Sequence, residues 1–279
     1  MNAIHRFGAV VAAAAAAATI TACSTTAGTA TVAGGDVTAG PAAATSTTAS
    51  VSPTARTWVT IPDNILASAP KRATLVQRLA DGTERCTAGP AVAPAASPRT
   101  RGYLTAGHCD KAPGAPVSIA GGGSGTYTGT TTTDPYGVTT LWGTPSTATV
   151  AGGQYKVAGV LTKDAVKKLP GDTPVCIDGM VSGLHCGTLL DADEDGIEVE
   201  KTRTRPGDSG APVFLLDAAT QTATLIGIHD ATSGEFAYVT YLDRALAQTN
   251  SKVLVDPQAQ AAVAGDTGYS SETTAATAQ

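Results

Sequence analysis

The chain has 279 residues and a formal net charge of −5, with 18 Lys and Arg against 23 Asp and Glu. This balance offers no basic surface for nucleic acid, so we exclude nucleic acid as an expected partner. The length allows one large domain or two modest ones. Abundant Gly, Ala, Thr and Val, with few Lys and Glu, favour short strands joined by tight turns over long surface helices.

The N-terminus has the pattern of an export signal. His5 and Arg6 form a small polar head, and an apolar run from Phe7 to Ile20 follows. The run is shorter than the ~20 apolar residues that a comfortable membrane span needs. We therefore predict a signal peptide over residues 1–22.

The end of this signal resembles a bacterial lipobox. It reads Ile20-Thr21-Ala22-Cys23, and in such a motif the Cys thiol is lipidated and becomes the new N-terminus. This resemblance predicts a lipid anchor at Cys23. The alternative is an ordinary signal peptide, cleaved near Ala22, with Cys23 incidental.

The cysteine count agrees with lipidation. The chain has five cysteines, an odd number that leaves one thiol over in an exported protein. A lipidated Cys23 leaves four for two disulfides, which form outside the cytoplasm. We expect an extracytoplasmic protein, either a cell-membrane lipoprotein or a secreted one, whose only membrane contact is the anchor.

Composition divides the rest of the chain into three parts. Residues 23–56 are a low-complexity run of small and hydroxyl residues and Pro, with almost no charge, typical of a disordered tether. Residues 57–254 form the predicted folded domain. Residues 255–279, rich in Ala, Gln, Ser and Thr, are predicted to be a disordered tail.

Within the folded part, strand-like runs alternate with turn clusters. Two groups of about six such runs, over residues 73–150 and 154–240, indicate two β-barrels or sandwiches. Residues 241–247 carry helix formers with apolar residues three to four apart, which predicts a C-terminal helix.

Two short motifs contain the residues with catalytic chemistry. Leu104-Thr105-Ala106-Gly107-His108-Cys109 ends one strand, and Pro206-Gly207-Asp208-Ser209-Gly210-Ala211-Pro212 begins another. A Ser nucleophile needs a base to take its proton, and His titrates near neutral pH. The His precedes the Ser, and an Asp between them would give the chain order His, Asp, Ser, which differs from the order in subtilisins (Asp, His, Ser) and in α/β-hydrolases (Ser, Asp, His).

These two motifs resemble the signatures of bacterial chymotrypsin-like serine proteases, near the streptogrisin and α-lytic group, and the resemblance covers roughly residues 73–250. It implies an all-β, chymotrypsin-like fold of two six-stranded β-barrels. It also implies a serine endopeptidase that hydrolyses peptide bonds in protein or peptide substrates through an acyl-enzyme. Neither a cofactor nor a metal is expected, and we expect a monomer.

The resemblance extends to the cysteines and to the roles of the motif residues. It implies disulfides Cys86–Cys109 and Cys176–Cys186. His108 is then the catalytic base and Ser209 the nucleophile. The backbone N–H groups of Gly207 and Ser209 are expected to form the oxyanion hole, because Gly tolerates the backbone conformation that turns its N–H inward.

The third member of the triad is the least defined. An Asp between His108 and Ser209 must accept the second imidazole N–H, and Asp134 is the best placed in the sequence. Relatives often have Asp-Tyr-Gly here, whereas this chain inserts Pro135. Either the register shifts by one, or Asp134 is only a turn residue. Asp164 and Asp172 are the fallbacks.

The carboxylate before the nucleophile, Asp208, also needs a partner. In animal relatives this Asp pairs with a new N-terminus made by cleavage, whereas here a long tether precedes the predicted domain and we do not expect that pairing. Bacterial relatives often use an Arg just after the first Cys of the second disulfide, where this chain has Ile177. Three arginines are candidates to substitute: Arg101, Arg203 and Arg205.

Thr204 and His229 are the expected substrate-binding residues. The Gly-Ile-His sequence ending at His229 resembles glutamyl endopeptidases, in which a His at this place binds the substrate carboxylate, and Thr204 fits that pattern. However, Asp230 and Ala231 replace residues that usually pair with the substrate backbone. The alternative is that His229 is only a strand residue whose hydrogen bonding Asp230 satisfies.

Residues 191–196 match the first half of a calcium loop. An EF-hand needs Glu at the twelfth position, where this chain has Thr202. We therefore predict a solvated hairpin turn.

Two other functions remain open. The same fold can serve as a binding protein with impaired catalysis, and the same triad can serve an esterase.

Overall fold

The computed structural model describes residues 56–131, 137–144 and 149–276. The predicted signal peptide, the tether up to residue 55, Cys23 and Asp134 lie outside these residues. The described strands are β1 (Trp58–Val59), β2 (Thr74–Arg78), β3 (Thr83–Thr87), β4 (Ala91–Pro94), β5 (Gly102–Ala106), β6 (Pro116–Ile119), β7 (Ser124–Thr128), β8 (Val138–Trp142), β9 (Val150–Ala151), β10 (Tyr155–Val160), β11 (Pro174–Gly179), β12 (Gly183–Ala192), β13 (Ile197–Glu200), β14 (Pro212–Asp217), β15 (Ala223–Ser233), β16 (Phe236–Tyr241), β17 (Ser251–Val255) and β18 (Thr273–Ala275). The described helices are α1 (Asp63–Ser68), α2 (Lys163–Val166), α3 (Leu242–Gln248) and α4 (Pro257–Ala261), with a 3₁₀ turn at Gly107–Cys109. None of these helices is long and apolar enough to cross a membrane.

The C-terminal half is a closed antiparallel barrel. Its six strands follow the order β14-β11-β12-β13-β16-β15, and β15 pairs again with β14 to close the ring. Strands β1, β10 and β9 extend the sheet outside the ring. The Cys176–Cys186 disulfide joins β11 to β12 within it.

The N-terminal half is a second antiparallel sheet that curls back on itself. Its strands follow the order β3-β2-β6-β7-β8-β5-β4, and β17 and β18 extend it. Just after β3, the N–H of Gly89 donates to the carbonyl of Leu104 in β5 at 3.0 Å. This contact brings together the two ends of the six strands β3-β2-β6-β7-β8-β5, which form the N-terminal barrel.

Burial explains the strand pattern. Along β2, Leu75 and Gln77 are buried while their neighbours are more exposed, the alternation expected of a strand with one face on a core. One apolar cluster fills the N-terminal barrel and a second fills the C-terminal barrel. A third cluster, which includes Leu104, Phe214 and Leu225, contains residues from both halves. The predicted all-β fold with two barrels is confirmed.

The predicted C-terminal helix is also confirmed, as α3. Leu242, Ala245 and Leu246 are its buried residues, at the three- and four-residue spacing of one helix face.

The segment after residue 255 differs from the prediction of a disordered tail. Asp256 caps α4 by accepting hydrogen bonds from the N–H groups of Gln258 and Ala259, and Pro257 occupies the first turn. Further on, β18 pairs in parallel with β17. Composition did not reveal this order because it depends on one cap and on pairing with a distant strand.

Candidate active site

His108 lies in the 3₁₀ turn that follows β5. The Gly107 N–H donates to the carbonyl of Gly137 at 2.7 Å, and a Cβ on Gly107 would lie 2.7 Å from the Gly137 carbonyl carbon. Both predicted disulfides are present. The Cys86–Cys109 bond links this turn to β3. The His108 side chain remains 38% exposed, so a substrate can reach a firmly held imidazole.

Ser209 lies in the loop between β13 and β14, which contacts both barrels. Its carbonyl accepts from the Thr87 N–H at 2.8 Å, and the next N–H, of Gly210, donates to the carbonyl of His229 at 2.7 Å. Gly210 has φ +90°, and a Cβ there would lie 1.9 Å from the Thr105 hydroxyl oxygen. Only Gly therefore fits beside Ser209.

Gly207 has a backbone conformation that suits the predicted oxyanion hole. Its φ is +101°, in the region that favours Gly, and its carbonyl accepts from the Thr87 hydroxyl at 3.0 Å. Among the described residues, the N–H groups of Gly207 and Ser209 have no acceptor. Two free donors on either side of Asp208 suit a developing negative oxygen.

Thr87 is a functional candidate that the sequence did not single out. Besides donating to Gly207, its hydroxyl accepts from the Met180 N–H at 3.1 Å. It thereby fixes the Gly207 carbonyl, next to the predicted hole. Its place directly after Cys86, a cysteine of one predicted disulfide, was the available signal.

Asp208 is fully buried and is paired with backbone groups. One carboxylate oxygen accepts from the N–H groups of Val181 and Ser182 at 2.8 and 3.2 Å, and the other accepts from the Arg205 N–H at 2.8 Å and from the Ser182 hydroxyl. The expected arginine side chain is therefore replaced by the turn between β11 and β12, because that turn directs its N–H groups at the carboxylate.

The carboxylate that contacts His108 among the described residues is Asp230. Its Oδ1 lies 2.9 Å from His108 Nδ1, and the Asp230 side chain is 2% exposed. The Ser209 hydroxyl donates to the backbone carbonyl of Asp230 at 3.3 Å. Of the fallback residues, Asp164 lies in α2 and Asp172 in the turn before β11, and neither is hydrogen-bonded to His108.

The expected substrate-binding residues, Thr204 and His229, are linked by hydrogen bonds through Thr232. The Thr204 hydroxyl lies 2.8 Å from the Thr232 hydroxyl, which lies 3.1 Å from His229 Nε2. Thr204 and His229 are buried, whereas Thr232 is exposed. His229 is thus bonded to Thr232, and Asp230 does not satisfy it.

Burial lowers the pKa of His229 to about 4. The nearby Asp208 carboxylate opposes this shift, and the neighbouring His185 and His108 rings add to it. His229 Nδ1 and His185 Nε2 are both buried, and neither has a hydrogen-bond partner among the described residues. Burial thus favours the neutral form of the His229 imidazole, while the Tyr238 backbone opposes this shift.

Residues 191–196 comprise the last two residues of β12 and the four-residue turn, residues 193–196, that leads into β13. Asp193 accepts from the N–H groups of Asp195 and Gly196, and Glu194 pairs with Lys163 and Lys167. These carboxylates are engaged by backbone N–H groups and lysines.

No protein-family model and no curated protein matches the chain. Solved structures that are similar to it include three serine proteases. A glutamic-acid-specific serine protease, described as using a histidine triad in substrate binding, is 20% identical, over 61% of this chain and 94% of its own, with a TM-score of 0.47. A thermostable serine protease from an extremophilic microorganism is 16% identical, over 66% and 96%, with a TM-score of 0.41. A serine protease of a human pathogenic astrovirus is 12% identical, over 61% and 89%, with a TM-score of 0.37. The assignments for this chain therefore rest on its own residues.

Proposed function

We propose that the chain is an extracytoplasmic serine endopeptidase of the chymotrypsin-like type. The proposal rests on the groups that surround Ser209. Its hydroxyl and the His108 imidazole both contact Asp230, and the free N–H groups of Gly207 and Ser209 flank it. A nucleophile, a base and two oxyanion donors are the parts that acyl transfer needs.

The reaction would run in two steps. His108 Nε2 takes the proton of Ser209 as Oγ attacks the substrate carbonyl carbon, and the resulting oxyanion binds the two N–H groups. The imidazolium then gives its proton to the leaving amine, which leaves an acyl-enzyme. Water, deprotonated by the same imidazole, attacks the ester, and collapse of the second tetrahedral intermediate returns the proton to Ser209.

The Ser209 hydroxyl has to turn from the Asp230 carbonyl toward His108 for the first step. Catalytic hydrogen bonds in structures without substrate are often long and tighten only in the complex. The carboxylate that accepts the other imidazole N–H has two candidates: Asp134, which the sequence favours, and Asp230, which lies at hydrogen-bond distance.

We propose a preference for substrates with an acidic side chain on the acyl side of the cleaved bond. The exposed Thr232 hydroxyl leads inward to the buried Thr204 and His229. Hydroxyl donors backed by an imidazole suit a carboxylate. A bound carboxylate would also favour protonation of His229, against the burial that lowers its pKa.

Localisation outside the cytoplasm is supported by two disulfides in the folded part, because such bonds persist in oxidising compartments. Lipidation at Cys23, a flexible tether over residues 23–56 and a monomeric enzyme acting on proteins or peptides are parts of the same proposal.

A fluorophosphonate probe tests the activated serine directly. We expect stoichiometric labelling of Ser209 in the native protein, and loss of labelling in Ser209→Ala and after heat denaturation. A folded protein that is not labelled would contradict the endopeptidase and favour a binding protein on the same fold. Labelling with hydrolysis of esters but not peptides would identify an esterase.

A further inference from the structure

The backbone around Asp230 is irregular in a way that redirects its side chain. In the β15–β16 pairing, His229 lies opposite Val239 and Ala231 lies opposite Tyr238, so the register shifts across Asp230. Asp230 is the extra residue of a β-bulge, and a bulge turns a side chain away from the direction that regular alternation gives it. The bulge sits where β15 passes His108 and Ser209.

The resulting carboxylate is buried and has few partners. Oδ1 lies 2.9 Å from His108 Nδ1, and Oδ2 accepts from the Thr240 hydroxyl at 3.4 Å. An ionised carboxylate only accepts hydrogen bonds, so His108 must carry its proton on Nδ1. The Nε2 lone pair is then free to accept the proton of Ser209.

We propose that Asp230 is the residue that positions His108, fixing its ring and its tautomer, and that it fills the role the sequence assigned to Asp134. This inference rests on the proposed endopeptidase function. Asp230 contacts His108 in the structure and follows Ser209 in the sequence. The chain order of the three residues is therefore His, Ser, Asp. The same residue touches the nucleophile through its carbonyl, so it aligns both reacting side chains.

The arrangement also accounts for a feature of the sequence that the substrate-binding role left unexplained. The residue after His229 was expected to pair with the substrate backbone, and an acidic residue there was a departure from the family pattern. An acidic residue at this position is explained if Asp230 holds the His108 imidazole and does not pair with the substrate backbone. Because the Asp230 side chain is 2% exposed while His108 is 38% exposed, the carboxylate acts from behind the ring.

The test compares three Asp→Asn variants of the whole protein. In Asp230→Asn, the amide N–H₂ faces Nδ1 and forces the proton onto Nε2, so the base is blocked. We expect kcat to fall by a factor of ~10⁴ with KM within threefold, as for removal of a triad carboxylate. Asp134→Asn should cost at least a hundredfold less. The exposed Asp81→Asn is the matched charge control and should retain full activity.

A spectroscopic readout separates positioning from simple structural damage. In ¹⁵N-histidine NMR, with His108 assigned by comparison with His108→Gln, we expect Nδ1–H in the native protein and Nε2–H in Asp230→Asn. Thermal unfolding of each variant shows whether it is folded. An unchanged tautomer, or an Asp230→Asn variant within tenfold of the native kcat, would overturn the proposal.

The failure of this inference can be told apart from failure of the proposed function. If the native protein cleaves peptides but Asp134→Asn abolishes activity while Asp230→Asn does not, the endopeptidase stands and Asp230 has no positioning role. If the native protein cleaves nothing and is not labelled at Ser209, the endopeptidase fails. The tautomer measurement then still decides whether Asp230 holds His108.

Discussion

The proposed oxyanion hole gives a sharp prediction, because one of its two donors is the N–H of a glycine, Gly207. Replacing Gly207 by Ala puts a Cβ on a residue with φ +101°, where side chains are strained by about 1–3 kcal/mol. The new atom would lie 2.7 Å from Met180 Cε and 2.8 Å from Val181 Cγ2. Both neighbours are ends of side chains and can move, so the fold should survive while the local backbone shifts.

The kinetic cost should exceed what the loss of stability explains. A shifted Gly207 N–H no longer meets the oxyanion, and losing one such donor typically lowers kcat by a factor of ~10²–10³, or about 2.7–4 kcal/mol of transition-state stabilisation. KM should change little, because the donor binds the oxyanion more strongly than the ground-state carbonyl.

The matched control is Gly234→Ala, in the β15–β16 turn. Gly234 also has a positive φ, of +62°, and a Cβ there meets nothing within 4 Å. It should lose a comparable amount of stability in thermal unfolding and keep its kcat. If Gly207→Ala retained more than a third of the native kcat, or if both variants lost activity equally, the assignment of Gly207 to the oxyanion hole would be refuted.

The remaining predictions concern the supports of the site. Thr87→Val removes the hydroxyl that holds the Gly207 carbonyl, so kcat should fall about tenfold in steady-state assays, with a stability loss of about 1–3 kcal/mol for the unpaired buried group; an unchanged kcat would contradict this role. The double variant Cys86→Ala/Cys109→Ala removes a crosslink with a sequence separation of 23 and should unfold with about 3 kcal/mol less free energy in urea, whereas a loss below 1 kcal/mol would argue against it. The folded pKa of His229, about 4, lies below its ordinary 6.5, so the unfolded chain binds the extra proton and stability falls as pH drops from 6.5 to 4. Relative to His229→Gln, the native protein should lose about 3 kcal/mol across that window, and parallel stability curves would show that His229 is not buried neutral.

Short-range sequence patterns predicted the fold and part of the site. The two motifs around His108 and Ser209 and the amphipathic spacing of α3 are each encoded within a few neighbouring residues, whereas the two disulfide pairings came from the family resemblance that those motifs carry. Each can therefore be recognised without knowing what packs against it. The all-β fold followed from many such local signals that agreed with one another.

The features that the sequence did not predict depend on contacts between distant segments. Asp208 is held by the turn at Val181 and Ser182, and no local pattern around Asp208 encodes that pairing. Asp230 reaches His108 because of a bulge in β15, and a one-residue register shift leaves no mark in the alternation of side chains. The strand β18 likewise acquires its order from pairing with β17.

Hydrolysis of a mixed peptide library by the purified protein, beside Ser209→Ala, tests the central claim most directly. We predict cleavage by the native protein, none by the variant, and cut sites that follow acidic residues. Cleavage after residues of every kind would keep the endopeptidase and remove the role given to His229 and Thr204. No cleavage by a folded native protein, or equal cleavage by both proteins, would contradict a serine endopeptidase that uses Ser209.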